Sequence, residues 1–311
     1  MRDVQVKNGR PTLTPEQLKR ATQHVQGEVR WNESLASITS LQVGGPADVL
    51  VVPSDVEDVI RVLQGARAEG VPFVVLGGTN VLVRDKGIRG IVMQLKHLTG
   101  LHEEANQVVY AQAGVRLPRL MQFALSRNLS GMEWAAGIPG TVGGGVVMNA
   151  GTRLGEMKEV LHAVDFVNLR GQRVRLDASN LSFAYRKTTL PKGIVVGAWV
   201  QLTPSTRAEI EARTKAYLRY RRATQPLTIP NAGSVFKNPP GDSAGRLIEA
   251  AGLKGAHVGD AEVSAKHANF IVNRGTATAA QVLALIRKVR QTVARKCGVR
   301  LQLEWKVIGE S

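Results

Sequence analysis

Two spacings of apolar residues alternate along the chain. Val49-Leu50-Val51-Val52, Pro72-Phe73-Val74-Val75-Leu76 and Val81-Leu82-Val83 are continuous apolar runs of strand length, the second reading as a buried strand. Between the first two, Val56, Val59, Ile60 and Leu63 recur at helical spacing. Ser54 with Glu57 forms a capping box ahead of them, and Gly70 stands where a C-cap belongs. An earlier helix start is written in Thr14-Pro15-Glu16-Gln17, with Thr at N-cap, Pro at N1 and Gln at N3. Its stripe is Leu18, Ala21 and Val25, and residues 1–13 before it form a ragged start. Ile91-Val92-Met93 and Val108-Val109-Tyr110-Ala111 continue the strands, and Leu117, Leu120, Met121 and Ala124 predict a helix ending before Gly131. Further strands are expected at 163–168, 172–176 and 194–202, with a turn at Gly171.

The composition shifts near Pro204. Thr206 to Arg222 is a charged helix, followed by Gln225-Pro226, and Ala244 to Ala251 reads as a short helix ended by Gly252. Thr278 with Gln281 caps a last helix whose Val282, Leu285, Ile286, Val289 and Val293 face a core, and Gly298 closes it. Leu301 to Ile308 is expected as a final strand. Strands alternate irregularly with short helices, which indicates α+β and not a regular doubly wound sheet. A module boundary is placed near residue 205, and no internal repeat is evident.

One stretch fits neither period. Gly137 to Gly151 contains Gly137, Gly140, Gly143, Gly144, Gly145 and Gly151, with Pro139 among them. So much glycine makes a poor strand and a poor helix, and the stretch is too apolar for a flexible linker. It reads either as a fixed loop whose N–H groups face a phosphate or a flat ring, or as a tight packing crossing or mobile loop. The Asn149-Ala150-Gly151 ending and a second cluster at Gly77-Gly78 favour a cofactor site. A Rossmann motif is excluded by context: Leu76-Gly77-Gly78-Thr79-Asn80 is not G-x-G-x-x-G, and a strand pattern follows it.

A length of 311 residues suggests two or three modules. The single cysteine, Cys297, excludes an internal disulfide and a Cys-rich metal site. No apolar run reaches membrane-spanning length and Met1-Arg2-Asp3-Val4 lacks a signal-peptide core, so a cytoplasmic protein without membrane insertion is expected. The net charge of +16 admits three readings: a nucleic-acid face, a site for polyanionic small molecules, or solvated surface. Aromatic residues are few and not interleaved with the basic ones, which counts against nucleic acid.

No H-E-x-x-H, G-x-S-x-G or Walker motif is present, and no metal is expected. His257 and His267 are scattered and could be ligands, but isolated His residues are more often surface or hydrogen-bonded structural groups. Three polar residues stand out. Arg186 follows Tyr185 in an apolar-aromatic segment, Ser234 follows Gly233 in a turn, and Glu304 sits among apolar residues near the end. The patterning alone is also satisfied by an Arg186–Glu304 structural ion pair and a turn-capping Ser234.

From about residue 35 onward the chain resembles the UDP-N-acetylenolpyruvoylglucosamine reductases, flavoenzymes of peptidoglycan precursor synthesis. The resemblance rests on Val43-Gly44-Gly45-Pro46-Ala47-Asp48, the Gly137–Gly151 stretch, Phe183-Ala184-Tyr185-Arg186, Gly233-Ser234-Val235-Phe236-Lys237-Asn238-Pro239, Ala250-Ala251-Gly252-Leu253-Lys254-Gly255 and Glu304. The short interval from Arg186 to Ser234 is similar to the family's second type, without an extra substrate-covering loop. The chain departs from the family in its Leu76–Asn80 loop, one residue shorter than usual. It departs also at Thr152-Arg153-Leu154, at Gln302 and at Trp305.

The resemblance implies an α+β fold with a two-subdomain FAD-binding region of the p-cresol methylhydroxylase type and a C-terminal α+β substrate domain. The expected division is an N-terminal extension with a helix over 1–34, the FAD-binding domain over 35–205, the substrate domain over 206–300, and a terminal strand over 301–311 carrying Glu304. It implies non-covalent FAD at Gly77, Gly78, Thr79, Asn80, Gly137, Ile138, Pro139, Gly140, Thr141, Gly143, Gly144, Asn149, Ala150 and Gly151. Cys297 and the six His lie outside these motifs, unlike the attachment residues of covalent flavoenzymes of the same fold. It further implies NADPH as reductant and the enolpyruvyl ether of UDP-N-acetylglucosamine as substrate. Ser234, Arg186 and Glu304 would be catalytic, and Tyr185, Lys237, Asn238 and Glu249 would lie near the substrate. The expected assembly is a monomer that binds no nucleic acid.

Overall fold

The computed structural model describes residues 13–311. The ragged start expected over 1–13 lies outside these residues except for Leu13. Three sheets organise the chain, each with its own core.

The first sheet has the order Glu28–Ser34, Pro46–Val52, Ile88–Met93, Phe73–Val75, with the first pair antiparallel and the others parallel. Helices α1 (Pro15–Thr22) and α2 (Val56–Ala68) cover one face, where Leu18 and Ala21 meet Val59, Val62 and Leu63 in one core. The α1 capping box is as expected, but Val25 falls beyond the helix. The cap of α2 is Asp55, which accepts from Asp58 N at 2.7 Å, and not Ser54. Ser54 instead donates its own amide to Asp58, which also gathers the amides of Gln26 and Gly27. Phe73–Val75 is shorter than expected and not buried; it is the sheet edge, and Val75 is 38% exposed.

The second sheet is antiparallel, in the order Arg173–Asp177, Leu161–Asn168, Gly193–Gln201, Val108–Gln112, Leu101–Glu103. Helix α3 (Leu117–Ser126) and a six-residue helix α4 (Val142–Val147) share its core. The Gly-rich stretch is therefore partly helical, contrary to its composition. Tertiary packing overrides propensity here. Val142 and Val146, one turn apart, are fully buried. A Cβ on Gly143 would lie 2.9 Å from Ala113 Cβ, and one on Gly145 would lie 2.9 Å from Met157 Cε. Only glycine lets this helix sit so close to its neighbours.

Helix α5 (Arg207–Thr224), started by a Thr206 capping box, leads to the third sheet. Its antiparallel order is Asn231–Ser234, Phe270–Asn273, Ala261–Val263, His257–Val258. Helices α6 (Ala244–Ala250) and α7 (Ala279–Cys297) pack on it, and Gly298 ends α7 with φ 71° as its position implied. This core also takes in Leu41, Val43 and Leu82 from the first part of the chain.

The final strand is shorter than expected, Lys306–Ile308, and pairs in parallel with Val81–Val83. Glu304 precedes it. Lys237 N donates to Gln302 O and Glu304 N to Val235 O, after which Lys306 N donates to Asn80 O. The chain changes partner at Trp305, whose ring is buried, so one uninterrupted strand cannot form.

Candidate active site

Leu76–Asn80 leaves the edge strand and turns back into Val81–Val83. Gly78 has φ 77°, and a Cβ there would lie 2.2 Å from Ile38 O, so the turn demands glycine. Among the described residues the amides of Gly77, Gly78, Thr79 and Asn80 have no protein acceptor. The same holds for Gly140, Thr141 and Gly144, whereas Val142 N and Gly143 N are taken by Val115 O and Ala113 O. The two Gly-bearing segments meet: a Cβ on Gly140 would stand 3.7 Å from Thr79 Oγ1. A Cβ on Gly77 would touch nothing, and one on Gly144 only Thr141 Oγ1 at 3.8 Å. Consecutive free amides beside open glycine faces fit a diphosphate and a flat ring brought close to the backbone.

Other residues of the long motif are used within the protein. Asn149 is fully buried; its Nδ2 donates to Glu156 Oε2 at 3.0 Å and to Ala184 O at 3.4 Å, and its Oδ1 accepts from Lys158 N. A Cβ on Gly151 would lie 2.3 Å from Glu156 Cβ, so that glycine serves a hairpin. Ile138 and Ala150 pack on the second core, Pro139 is exposed, and Gly137 lies against helix α5.

Ala184 opens the turn that carries Tyr185 and Arg186 between the strands Ser182–Ala184 and Lys187–Thr189. Arg186 adopts φ 55°, a left-handed conformation rare for a side chain of this size. Its Nε donates to Glu304 Oε1 at 3.1 Å, and its guanidinium lies 4.9 Å from the Tyr185 ring centre. Thr188 ties the same hairpin to α4 through Val146 O at 2.5 Å.

Burial raises the Glu304 carboxyl above its ordinary value, while Arg186, Lys237 and Tyr185 pull it down. The Tyr185 phenol is raised too, first by burial and then by the Glu304 charge. Tyr185, Arg186, Lys237 and Glu304 thus form one electrostatic group. Asn238 flanks it, with Oδ1 accepting from Ala244 N at the start of α6. Glu249, further along α6, pairs with Lys254 at 2.6 Å on an exposed face. Asn80 links the group to the glycine loops, donating to Glu304 O at 3.4 Å and to Met148 Sδ at 3.8 Å.

Ser234 ends its strand one residue after Gly233, which has φ 74° and open space where a Cβ would stand. The Ser234 hydroxyl has no protein hydrogen-bond partner among the described residues, so it does not cap the turn; Asn231 Oδ1 does, through Gly233 N at 3.1 Å. A residue that sequence reading missed fixes this segment. Buried Asn269 accepts from Phe236 N at 2.9 Å and donates to Phe236 O at 2.8 Å. Its only signal in sequence is a polar residue beside the apolar run Phe270-Ile271-Val272. Among the described residues no group of three or more His, Cys, Asp or Glu could hold a metal ion, and no helix is long and apolar enough to cross a membrane.

Open glycine loops joined to a partly buried Arg–Glu pair meet the needs of a flavin site. Residues 47–177 match the family described as FAD binding domain, which makes the protein an FAD-dependent oxidoreductase. Residues 225–308 match that described as UDP-N-acetylenolpyruvoylglucosamine reductase, C-terminal domain. The chain is 48% identical over 288 residues to UDP-N-acetylenolpyruvoylglucosamine reductase 2 of Symbiobacterium thermophilum, covering 92% of this chain and 94% of the relative. It is 48% identical over 285 residues to the reductase of Moorella thermoacetica, covering 91% and 94%. The crystal structure of the Thermus caldophilus reductase superposes with a TM-score of 0.78 at 40% identity, covering 91% of this chain and 98% of that one. The chain belongs to the UDP-N-acetylenolpyruvoylglucosamine reductase family, with its α+β architecture of FAD-binding region and C-terminal domain.

Proposed function

We propose that this protein reduces the enolpyruvyl group of UDP-N-acetylglucosamine enolpyruvate to the lactyl ether of UDP-N-acetylmuramate, with NADPH as reductant. The observation that carries the reading is the meeting of Arg186 and Glu304 at a seam that Asn80 joins to the free amides of the first glycine loop. FAD, when bound, supplies the hydride. The residues with free amides, Gly77 to Asn80, Gly140, Thr141 and Gly144, are those suited to hold it, with Gly137 to Pro139, Gly143 and Asn149 to Gly151 shaping the loop around them.

The Arg186 guanidinium suits the pyruvyl carboxylate, where negative charge grows during reduction. Glu304, held toward its neutral form by burial, can donate a hydrogen bond to the same group. The free Ser234 hydroxyl holds the proton destined for the carbon next to that carboxylate. Tyr185, Lys237 and Asn238 border the space, and Glu249 belongs to helix α6, whose first amide donates to Asn238. In this reading 35–205 binds FAD, 206–300 binds substrate, and 301–311 brings Glu304 between them. One chain supplies every site residue, consistent with a cytoplasmic monomer that uses its positive field for nucleotides and not for nucleic acid, and that prefers NADPH to NADH.

Stopped-flow absorbance on Ser234→Ala tests the assignment. Flavin reduction by NADPH should stay near wild type. Reoxidation by the enolpyruvyl substrate should slow by ~10²–10⁴-fold, the usual worth of a general acid. Reoxidation at the wild-type rate would remove Ser234 from the chemistry.

A further inference from the structure

Arg221 is a buried arginine without an acid among the described residues. It is 7% exposed on helix α5. Its Nε donates to Gln225 Oε1 at 2.9 Å and its Nη1 to the carbonyl of Ala136 at 3.1 Å, both neutral acceptors. No carboxylate oxygen of the described residues lies within 4.0 Å of it. Its neighbours on the helix differ: Arg207 and Lys215 pair with Glu211, and Arg213 pairs with Glu133. Those are exposed side chains that water could have served. Arg219 and Arg222 also lack a counter-ion among the described residues, but they are exposed; Arg221 lacks one where water serves it poorly, and burial lowers its pKa from the ordinary value accordingly.

The position of this charge is informative. A Cβ on Gly137 would lie 3.0 Å from Arg221 Nη1, and Gly137 itself has φ 72°. The guanidinium therefore rests on the backbone at the first glycine of the Gly137–Gly151 stretch, on the side chain of an element outside both matched family regions, 47–177 and 225–308. Among the described residues Nη2 has no protein partner, yet it is not one of their sealed polar atoms, which are Ser40 Oγ, Trp134 Nε1, Thr214 Oγ1 and Trp305 Nε1. One fork of the guanidinium remains available to an acceptor. The other arginine of the site, Arg186, already has Glu304. The free amides of the glycine loops offer dipoles to a diphosphate but no full positive charge.

We propose that Arg221 is the charge partner of the FAD diphosphate, so that helix α5 contributes to the cofactor site. This rests on the flavoenzyme reading and adds to it a specific consequence: the protein without cofactor carries an uncompensated buried charge, and binding FAD neutralises it. A purely structural role, with Arg221 clamping Ala136 O and Gln225, would leave FAD affinity alone.

Wild type, Arg221→Met and Arg221→Lys are stripped of flavin and titrated with FAD and with riboflavin, which lacks both phosphates, by fluorescence at low and high salt. The full chain is used throughout. FAD affinity should fall roughly 10–100-fold in the Met variant, as for loss of a charge-assisted hydrogen bond, and its salt dependence should weaken. Riboflavin affinity should be unchanged, and Lys should recover part of the loss. Without cofactor, Arg221→Met should melt no lower than wild type, while its rise in Tm on adding FAD should shrink. A Met variant that melts lower but binds FAD as wild type does would make Arg221 a clamp only and overturn the proposal. So would normal FAD affinity with a raised KM for substrate or NADPH, since the charge would then serve another phosphate. Wild type that takes up no FAD would overturn the flavoenzyme reading itself.

Discussion

Arg186 and Glu304 stand 118 positions apart in the chain and 3.1 Å apart in space. Neither is well placed without the other. Arg186 sits in a left-handed turn that costs conformational energy, and Glu304 is a carboxyl with an 11% exposed side chain. Each offsets what the other costs, and the pair is drawn together where the glycine loops and the third sheet touch.

That arrangement predicts a pH signature. Burial holds the folded Glu304 above its ordinary 4.5. The folded protein therefore keeps this proton longer than the unfolded chain does. The stability from this group is complete below the unfolded value and is lost as pH rises through the folded one. Thermal melts of wild type and Glu304→Gln over a range of pH should diverge, the wild type losing ground as pH climbs from 4.5. A difference in Tm that does not change with pH would mean that the carboxyl titrates alike in both states.

The two adjacent glycines of α4 should separate folding from cofactor binding. Gly144→Ala adds a methyl into open space, so the protein without flavin should be unaffected or gain up to ~1 kcal/mol from helix propensity. Its FAD affinity should drop, because the cofactor needs that space. Gly143→Ala pushes against Ala113 and should destabilise the fold by about 1–3 kcal/mol. Calorimetry with and without FAD reads both. Wild-type FAD affinity in Gly144→Ala would place the cofactor elsewhere.

Asn269 should act on Ser234 from a distance. Replacing it with Ala leaves Phe236 N and O unsatisfied in the core, at about 1–3 kcal/mol for each lost partner. The melting temperature should fall, and substrate-driven reoxidation should slow more than NADPH-driven reduction, since only the former uses the strand that Phe236 continues. Equal slowing of both halves would reduce Asn269 to general support.

Sequence was most legible where the signal is local. The boxes at Thr14 and Thr278 and the glycine after α7 depend on residues within one turn, and they stand where expected. Asp55 displaced Ser54 because Asp58 recruits the Ser54 amide into a cluster with Gln26 and Gly27. Helix α4 was hidden because its glycines answer to Ala113, Leu117 and Met157, none adjacent in sequence. Patterning singled out Arg186, Ser234 and Glu304 but could not tell a site from an ion pair. It took the family resemblance to give them roles, and the fold to show that two of them meet. Arg221 looked like one charge among many on a basic helix, since nothing local marks a buried arginine.

The change of partner at Trp305 also sets an order of events. Polypeptides are made from the amino end, so both glycine loops, the Arg186 turn and Ser234 leave the ribosome before Glu304 does. Until then the Val81–Val83 strand lacks its parallel neighbour, Lys237 N lacks Gln302 O, and Arg186 lacks its counter-ion. A nascent chain can complete its first two cores early, yet the chemical centre closes only with the segment that carries Glu304. Translation itself then delays the appearance of a working centre, and a chain abandoned before Glu304 is left with cofactor loops but an open seam.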